Sequence, residues 1–190
     1  MKLEKIRQNY PEFFTTAEAK KVGVSPQLLK HYLTKGLIER ASHGVYRFPS
    51  DYGFDLENLI HETLKAVPQG IISHKTALKL YGLTDKAPPN IDLTVPDKNV
   101  PKRKLENVKL HPVVQRMMRQ GIQTVRKIRV TTVERTLVDL LRTGEPLSFV
   151  IETFREAQAK NLKPSLAKIR KLGTALHAKA KTELFLEAIL

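Results

Sequence analysis

FTTAEAKKVGVSPQLLKHYLTKGLIERASHGVYRF, residues 14–48, decides how the rest of the chain is read. Thr15 or Thr16 can cap a helix whose first turn holds Glu18 or Ala19. That helix runs through Ala17, Ala19 and Val22 and stops at Gly23, which can take the positive φ that helix endings often need. Val24 is a small apolar plug for a sharp turn. Ser25-Pro26 restarts a helix with a capping hydroxyl and a proline at the first helical position. Leu28, Leu29, Tyr32 and Leu33 fall on one side of this second helix. Gln27, Lys30, His31, Thr34 and Lys35 fall on the other, at i, i+3, i+4, i+7 and i+8 spacing. Gly36 ends it. Residues 37–40 and 45–48, around the loop Ala41-Ser42-His43-Gly44, predict a β-hairpin. Two short helices at a turn followed at once by a hairpin is the order of a winged helix-turn-helix. The second helix has the length to enter a major groove, and its outer face is polar and basic.

Composition bounds the partner. The 190 residues carry a formal net charge of +14 and a pI of about 10.0, the electrostatic footprint of a nucleic-acid binder. Charge alone says polyanion rather than operator DNA. With no cysteine, disulfides and zinc ribbons are excluded, and a reducing cytoplasm fits. The N-terminus MKLEKIRQNYPEFF has no apolar core, so a signal peptide is not expected. No apolar run approaches the ~20 residues of a membrane span.

Outward from the motif, residues 2–10 predict a helix with Leu3, Ile6 and Tyr10 on one face, packed behind the other two and ended by Pro11. The turn-rich run 49–53 marks a boundary, giving a DNA-binding domain at 1–50 and a second domain at 55–190. Asp55 caps a helix running to Val67. Ser73 caps another, through Ala77, Leu78, Leu80 and Tyr81, closed by Gly82. Residues 91–95 and 108–111 alternate as strands, and 123–130 reads as one strand or two. Thr131-Thr132 caps a helix with Val133, Leu137, Leu140 and Leu141 on its buried stripe. Three more helices follow, over 146–160, 165–171 and 175–190. The fold class is α+β: an N-terminal winged helix-turn-helix, then a mixed α+β C-terminal domain with a small sheet and a helical tail.

The positive charge is uneven. Residues 1–80 hold 12 Lys+Arg against 8 Asp+Glu, while residues 97–135 alone hold 11 against 3. The second domain therefore offers its own backbone-contacting set, Lys98, Lys102, Arg103 and Lys104 with Arg126, Lys127 and Arg129, each adding to salt dependence by counterion release. The alternative is a solvated loop and guarded strand edges.

The block 14–48, ISHKTALKLYGLTD at 72–85, IDLTVP at 91–96 and VTTVERTLVDLL at 130–141, in that order, resemble the AbiEi antitoxins. These are transcription-regulating antitoxins of type IV toxin–antitoxin systems tied to abortive phage infection. The resemblance implies an N-terminal winged-helix domain and a C-terminal antitoxin domain. It also implies autorepression through inverted repeats, and opposition to a nucleotidyltransferase-like toxin with no stable complex required. The nuclease-like domain of some relatives is not implied here.

Candidate contacts follow from residue chemistry. Ser25, Gln27, Lys30, His31 and Lys35 form the recognition set: Gln pairs with adenine edges, Lys with guanine edges, and Ser25 suits phosphate. Arg40, Ser42, His43 and Arg47 are the wing set. Arg135 and Asp139, four apart on one helix, read as a structural pair rather than a catalytic carboxylate and its partner. Asp92 could ligate a metal, but no second acid and lysine stand near it in sequence. The six histidines, His31, His43, His61, His74, His111 and His177, lack metal-ligand spacing. Ser73-His74-Lys75 is triad-like in letters only. No catalytic residue, metal or cofactor is expected, and the chain reads as a non-enzyme. Two other readings stay open: a structured-RNA-binding or nucleolytic protein using the basic second domain, and a protein-interaction adaptor.

Overall fold

The computed structural model describes residues 2–49 and 56–190. It divides into two compact units, Met1–Pro68 and Gln69–Leu190.

In the first unit, α1 (Lys2–Asn9), α2 (Thr16–Lys21) and α3 (Pro26–Thr34) surround a small core of Ile6, Phe14, Ala19, Val24, Leu29 and Ile38. The capping signals act as the residue types require. Thr15 accepts from the Glu18 backbone N–H, and the Glu18 carboxylate accepts from the Thr15 N–H at 2.8 Å, a reciprocal capping box. Ser25 accepts from the Leu28 N–H, with Pro26 opening α3. Gly23, at φ +81°, makes the turn between α2 and α3. The hairpin forms from β2 (Glu39–Ser42) and β3 (Val45–Arg47), with a bulge between Arg40 and Ser42.

Two features go beyond the expected motif. Residues Phe13–Thr15 form a strand, β1, that pairs antiparallel with β3, so the wing is the far edge of a three-stranded sheet ordered β1-β3-β2. Helix α4 (Leu56–Ala66) packs on β1, β2 and β3. Lys65 on α4 reaches Glu18 at 2.8 Å and lies over the Tyr10 ring. The boundary expected between residues 50 and 55 therefore falls later, at Pro68, because the apolar face of α4 is buried with the winged unit. The turn at 50–53 and the Asp55 cap lie outside the described residues.

The second unit holds a five-stranded sheet ordered β6-β5-β4-β8-β7, from β4 (Ile71–Ile72), β5 (Ile91–Pro96), β6 (Val108–Val113), β7 (Ile122–Val125) and β8 (Ile128–Thr131). The sheet is mixed: β5–β6 and β4–β8 are parallel, β4–β5 and β7–β8 antiparallel. The run 123–130 resolves into two strands around a two-residue turn, Arg126-Lys127. Ile71–Ile72, just ahead of the helix at Ser73, is the central strand. Helices α5 (His74–Leu80), α6 (Val133–Thr143), α7 (Leu147–Ala159), α8 (Leu166–Ala175) and α9 (Lys179–Ile189) complete the unit. Their core joins Leu78, Leu137, Leu140, Val150, Phe154, Ile169 and Phe185 to Ile71 and Val113 of the sheet.

Arg135 is structural, as expected, and more heavily engaged than a surface pair. Fully buried, it donates to Asp139 at 2.7 Å and to the Met117 and Gln120 carbonyls at 2.7 and 2.8 Å. One guanidinium thus ties α6 to the segment before β7. Among the described residues no helix is long and apolar enough to cross a membrane.

Candidate nucleic-acid interface

Helix α3 buries Leu29 and half-buries Leu28, Tyr32 and Leu33, which turns the opposite face outward. Ser25, Gln27, Lys30, His31, Thr34 and Lys35 are all exposed. The 3.6-residue period places them on one stripe about two turns long, with the cap hydroxyl of Ser25 at its start. The set expected from sequence is therefore one continuous surface of hydrogen-bonding groups and two lysine charges.

The wing divides differently from expectation. Arg40 and His43 are exposed, and the Arg40 guanidinium lies 5.9 Å from the centroid of the Tyr46 ring. Arg47 is half-buried and donates to Glu39 at 2.8 Å across the hairpin, which offsets its charge. Ser42 sits at the bulge with its hydroxyl oxygen enclosed and without a hydrogen-bond partner. The bulge turns that side chain inward, a backbone irregularity that strand alternation does not announce.

In the second unit, Lys98, Lys102, Arg103, Lys104, Arg126, Lys127 and Arg129 are all exposed. Sheet topology sorts them. Lys98 follows the end of β5, and the Arg126-Lys127 turn starts β8, which runs opposite to β5. Both therefore lie at one end of the sheet, two to three strand spacings apart, roughly 10–15 Å. Lys102, Arg103 and Lys104 lie on the connection running back to the start of β6.

At the other end of the sheet, the structure gathers three residues that the sequence left scattered. His111 Nε2 lies 2.7 Å from Asp92 Oδ1, and the His74 ring stacks on that of His111 with centroids 3.6 Å apart. All three are buried. Ser73 is not the capping hydroxyl expected: its Oγ makes no cap bond and instead lies 2.9 Å from His74 Nδ1. His74 adopts φ +49°, a strained conformation for a residue with a side chain. Burial first, then the nearby His111, Arg142, Arg135 and Lys109, push the His74 imidazole down to about 2, so it is neutral at physiological pH. No local pattern in the sequence pairs them: the parallel register of β5 with β6 sets Thr94 opposite His111, so Asp92 and His111 share a face.

No match is found among curated proteins. Among solved structures, the crystal structure of the RV2827C protein from Mycobacterium tuberculosis is similar. The alignment has a TM-score of 0.63 and 13% sequence identity, and covers 97% of this chain and 79% of that one. At that identity the likeness is one of fold. The segments 72–85, 91–96 and 130–141, which carried part of the expected resemblance, lie outside the family match, and the winged unit carries it: residues 1–49 match the family of the transcriptional regulator AbiEi antitoxin.

Proposed function

We propose that this protein is a DNA-binding autorepressor and antitoxin of a type IV toxin–antitoxin system, acting in the cytoplasm as a regulator rather than an enzyme. In this reading α3 enters the major groove and Lys30, His31, Gln27 and Lys35 face base edges and phosphates. Arg40 and His43 of the wing lie along the backbone, and the basic end of the second unit extends the footprint. Inverted repeats in its own promoter present two half-sites about one helical turn, ~34 Å, or a multiple apart, each taking one copy. Occupancy blocks transcription. The same protein counteracts a nucleotidyltransferase-like toxin without a stable complex.

The observation carrying this reading is the exposed stripe of α3, whose opposite side is anchored in the winged core. A helix that buries its apolar side and presents two lysines, a glutamine and a histidine outward has the surface a groove requires. The test is competition at physiological salt between labelled promoter duplex containing inverted repeats and unlabelled tRNA. Displacement of the protein only by unlabelled duplex of the same sequence supports the repressor.

A second reading is favoured by one observation, the clustering of Lys98 and the Arg126-Lys127 turn at one end of the five-stranded sheet. In it, the second unit holds structured RNA. Preferential displacement by tRNA in the same experiment selects it.

A further inference from the structure

The buried His74–Asp92–His111 group has more donor capacity than its internal contacts use. One ligand atom from each residue lies within 4.8 Å of the others. His74 Nε2 is buried and has no hydrogen-bond partner. With Nδ1 engaged by Ser73 Oγ at 2.9 Å, Nε2 is the ring nitrogen left to meet a ligand. That outer hydrogen bond is the kind of contact that fixes the tautomer of a ligating imidazole. The left-handed backbone at His74 holds this ring against His111 at a conformational cost, and such strain marks positions whose side-chain placement matters. The three residues line one small pocket of about 70 Å³ together with Lys75, Asn90, Lys109 and Glu145.

We propose that His74, Asp92 and His111 bind one divalent transition-metal ion of the zinc, cobalt or nickel class. Two imidazoles and one carboxylate form a donor set suited to these ions, whereas magnesium and calcium take oxygen ligands. The ion replaces the proton shared by His111 Nε2 and Asp92 Oδ1. Tetrahedral coordination at about 2.0 Å places ligand atoms about 3.3 Å apart. The Asp92–His111 pair, now 2.7 Å apart, therefore opens slightly to admit the ion, and the stacked rings, now 14° from parallel, tilt to aim both lone pairs at one centre. With three protein ligands a fourth position stays open toward the pocket, for solvent or a small anion near Lys75 and Lys109. Lys75 is paired with Glu145 at 2.7 Å, which moderates the positive charge the ion meets. The site fastens the start of α5 to β5 and β6, and it is independent of the DNA-binding reading.

The test uses the full chain, treated with chelator and titrated with Zn²⁺ by calorimetry without nucleic acid, with Co²⁺ followed by visible absorption and Mg²⁺ as the hard-ion control. One Zn²⁺ per chain and a Co²⁺ spectrum of nitrogen and oxygen coordination are expected, with no Mg²⁺ uptake. Asp92→Asn and His74→Gln should each weaken Zn²⁺ binding by more than about a hundredfold, beyond the loss from removing an outer hydrogen-bond partner. His43→Ala and His177→Ala should leave it unchanged. Should the buried variants misfold, histidine ring nitrogen shifts on wild-type protein decide: Zn²⁺ must move His74 and His111 and leave His43 and His177 in place. Absence of stoichiometric binding, variants that bind like wild type, or shifts confined to exposed histidines would each overturn the site.

Discussion

Lys30 and Tyr81 show how differently two single side chains act. Lys30 is exposed in the middle of the α3 stripe, so under the proposed function its contribution is to DNA binding. Lys30→Ala should lower DNA affinity and reduce the steepness of the log affinity–log salt plot by about one unit, as loss of one phosphate contact does. An unchanged slope in a fluorescence salt titration would remove Lys30 from the interface. Tyr81 is a fold residue. Its hydroxyl donates to the Thr131 carbonyl at 2.6 Å and accepts from Gln123 at 2.7 Å. Burial raises its pKa to about 12; the Gln123 hydrogen bond opposes the rise, and the Glu134 charge adds to it. With the folded value above the ordinary 10, Tyr81 contributes stability in full below pH 10 and loses it as pH climbs toward about 12. Tyr81→Phe should cost about 1 kcal/mol at neutral pH. It should also flatten the alkaline loss of stability between pH 10 and 12, read by denaturant melts.

At the scale of elements, the turn joining β7 to β8 is costly. Arg126 and Lys127 both adopt positive φ, 47° and 66°, in a two-residue hairpin that ordinarily takes Asn-Gly. Left-handed backbone costs roughly 1–2 kcal/mol per residue with a side chain. Replacing the pair by Arg126→Asn and Lys127→Gly should raise the melting temperature while weakening binding to polyanions. A variant that is more stable and binds nucleic acid as tightly as wild type would make the turn mere scaffold. Helix α6 is anchored by the buried Arg135–Asp139 pair, with Asp139 Oδ1 also 3.5 Å from Arg142 Nε. Arg135→Ala strands a buried carboxylate and two carbonyls, and should destabilise by about 3–5 kcal/mol. The double replacement Arg135→Met, Asp139→Leu should cost less than Arg135→Ala alone, because no charge is left buried and unpaired. Denaturant melts of the single and double variants give the comparison.

For the molecule as a whole, the charge of the second unit should act without regard to sequence. Neutralising Lys102, Arg103 and Lys104 together should weaken binding to specific and random duplex alike and lower the salt slope. Gel shifts identical to wild type would leave them as solvated charges. Local rules suffice for the helix-turn-helix and the hairpin of the winged unit and for the helices of the second one. The Ser25-Pro26 cap, the turn at Gly23 and the split of α3 into apolar and polar faces are decided by neighbours within one or two helical turns. The boundary after Pro68, the β1 strand and the inward Ser42 were not legible, because packing of α4 and pairing with β3 are contacts between distant segments. Ile71–Ile72 is too short to show a period, and its place at the centre of the sheet comes from partners at residues 93–94 and 130. The His74–Asp92–His111 group is the clearest case. His111 and Asp92 stand 19 positions apart, beyond the reach of any local rule. Only the parallel register of β5 with β6, and the strained entry into α5, bring their donor atoms together.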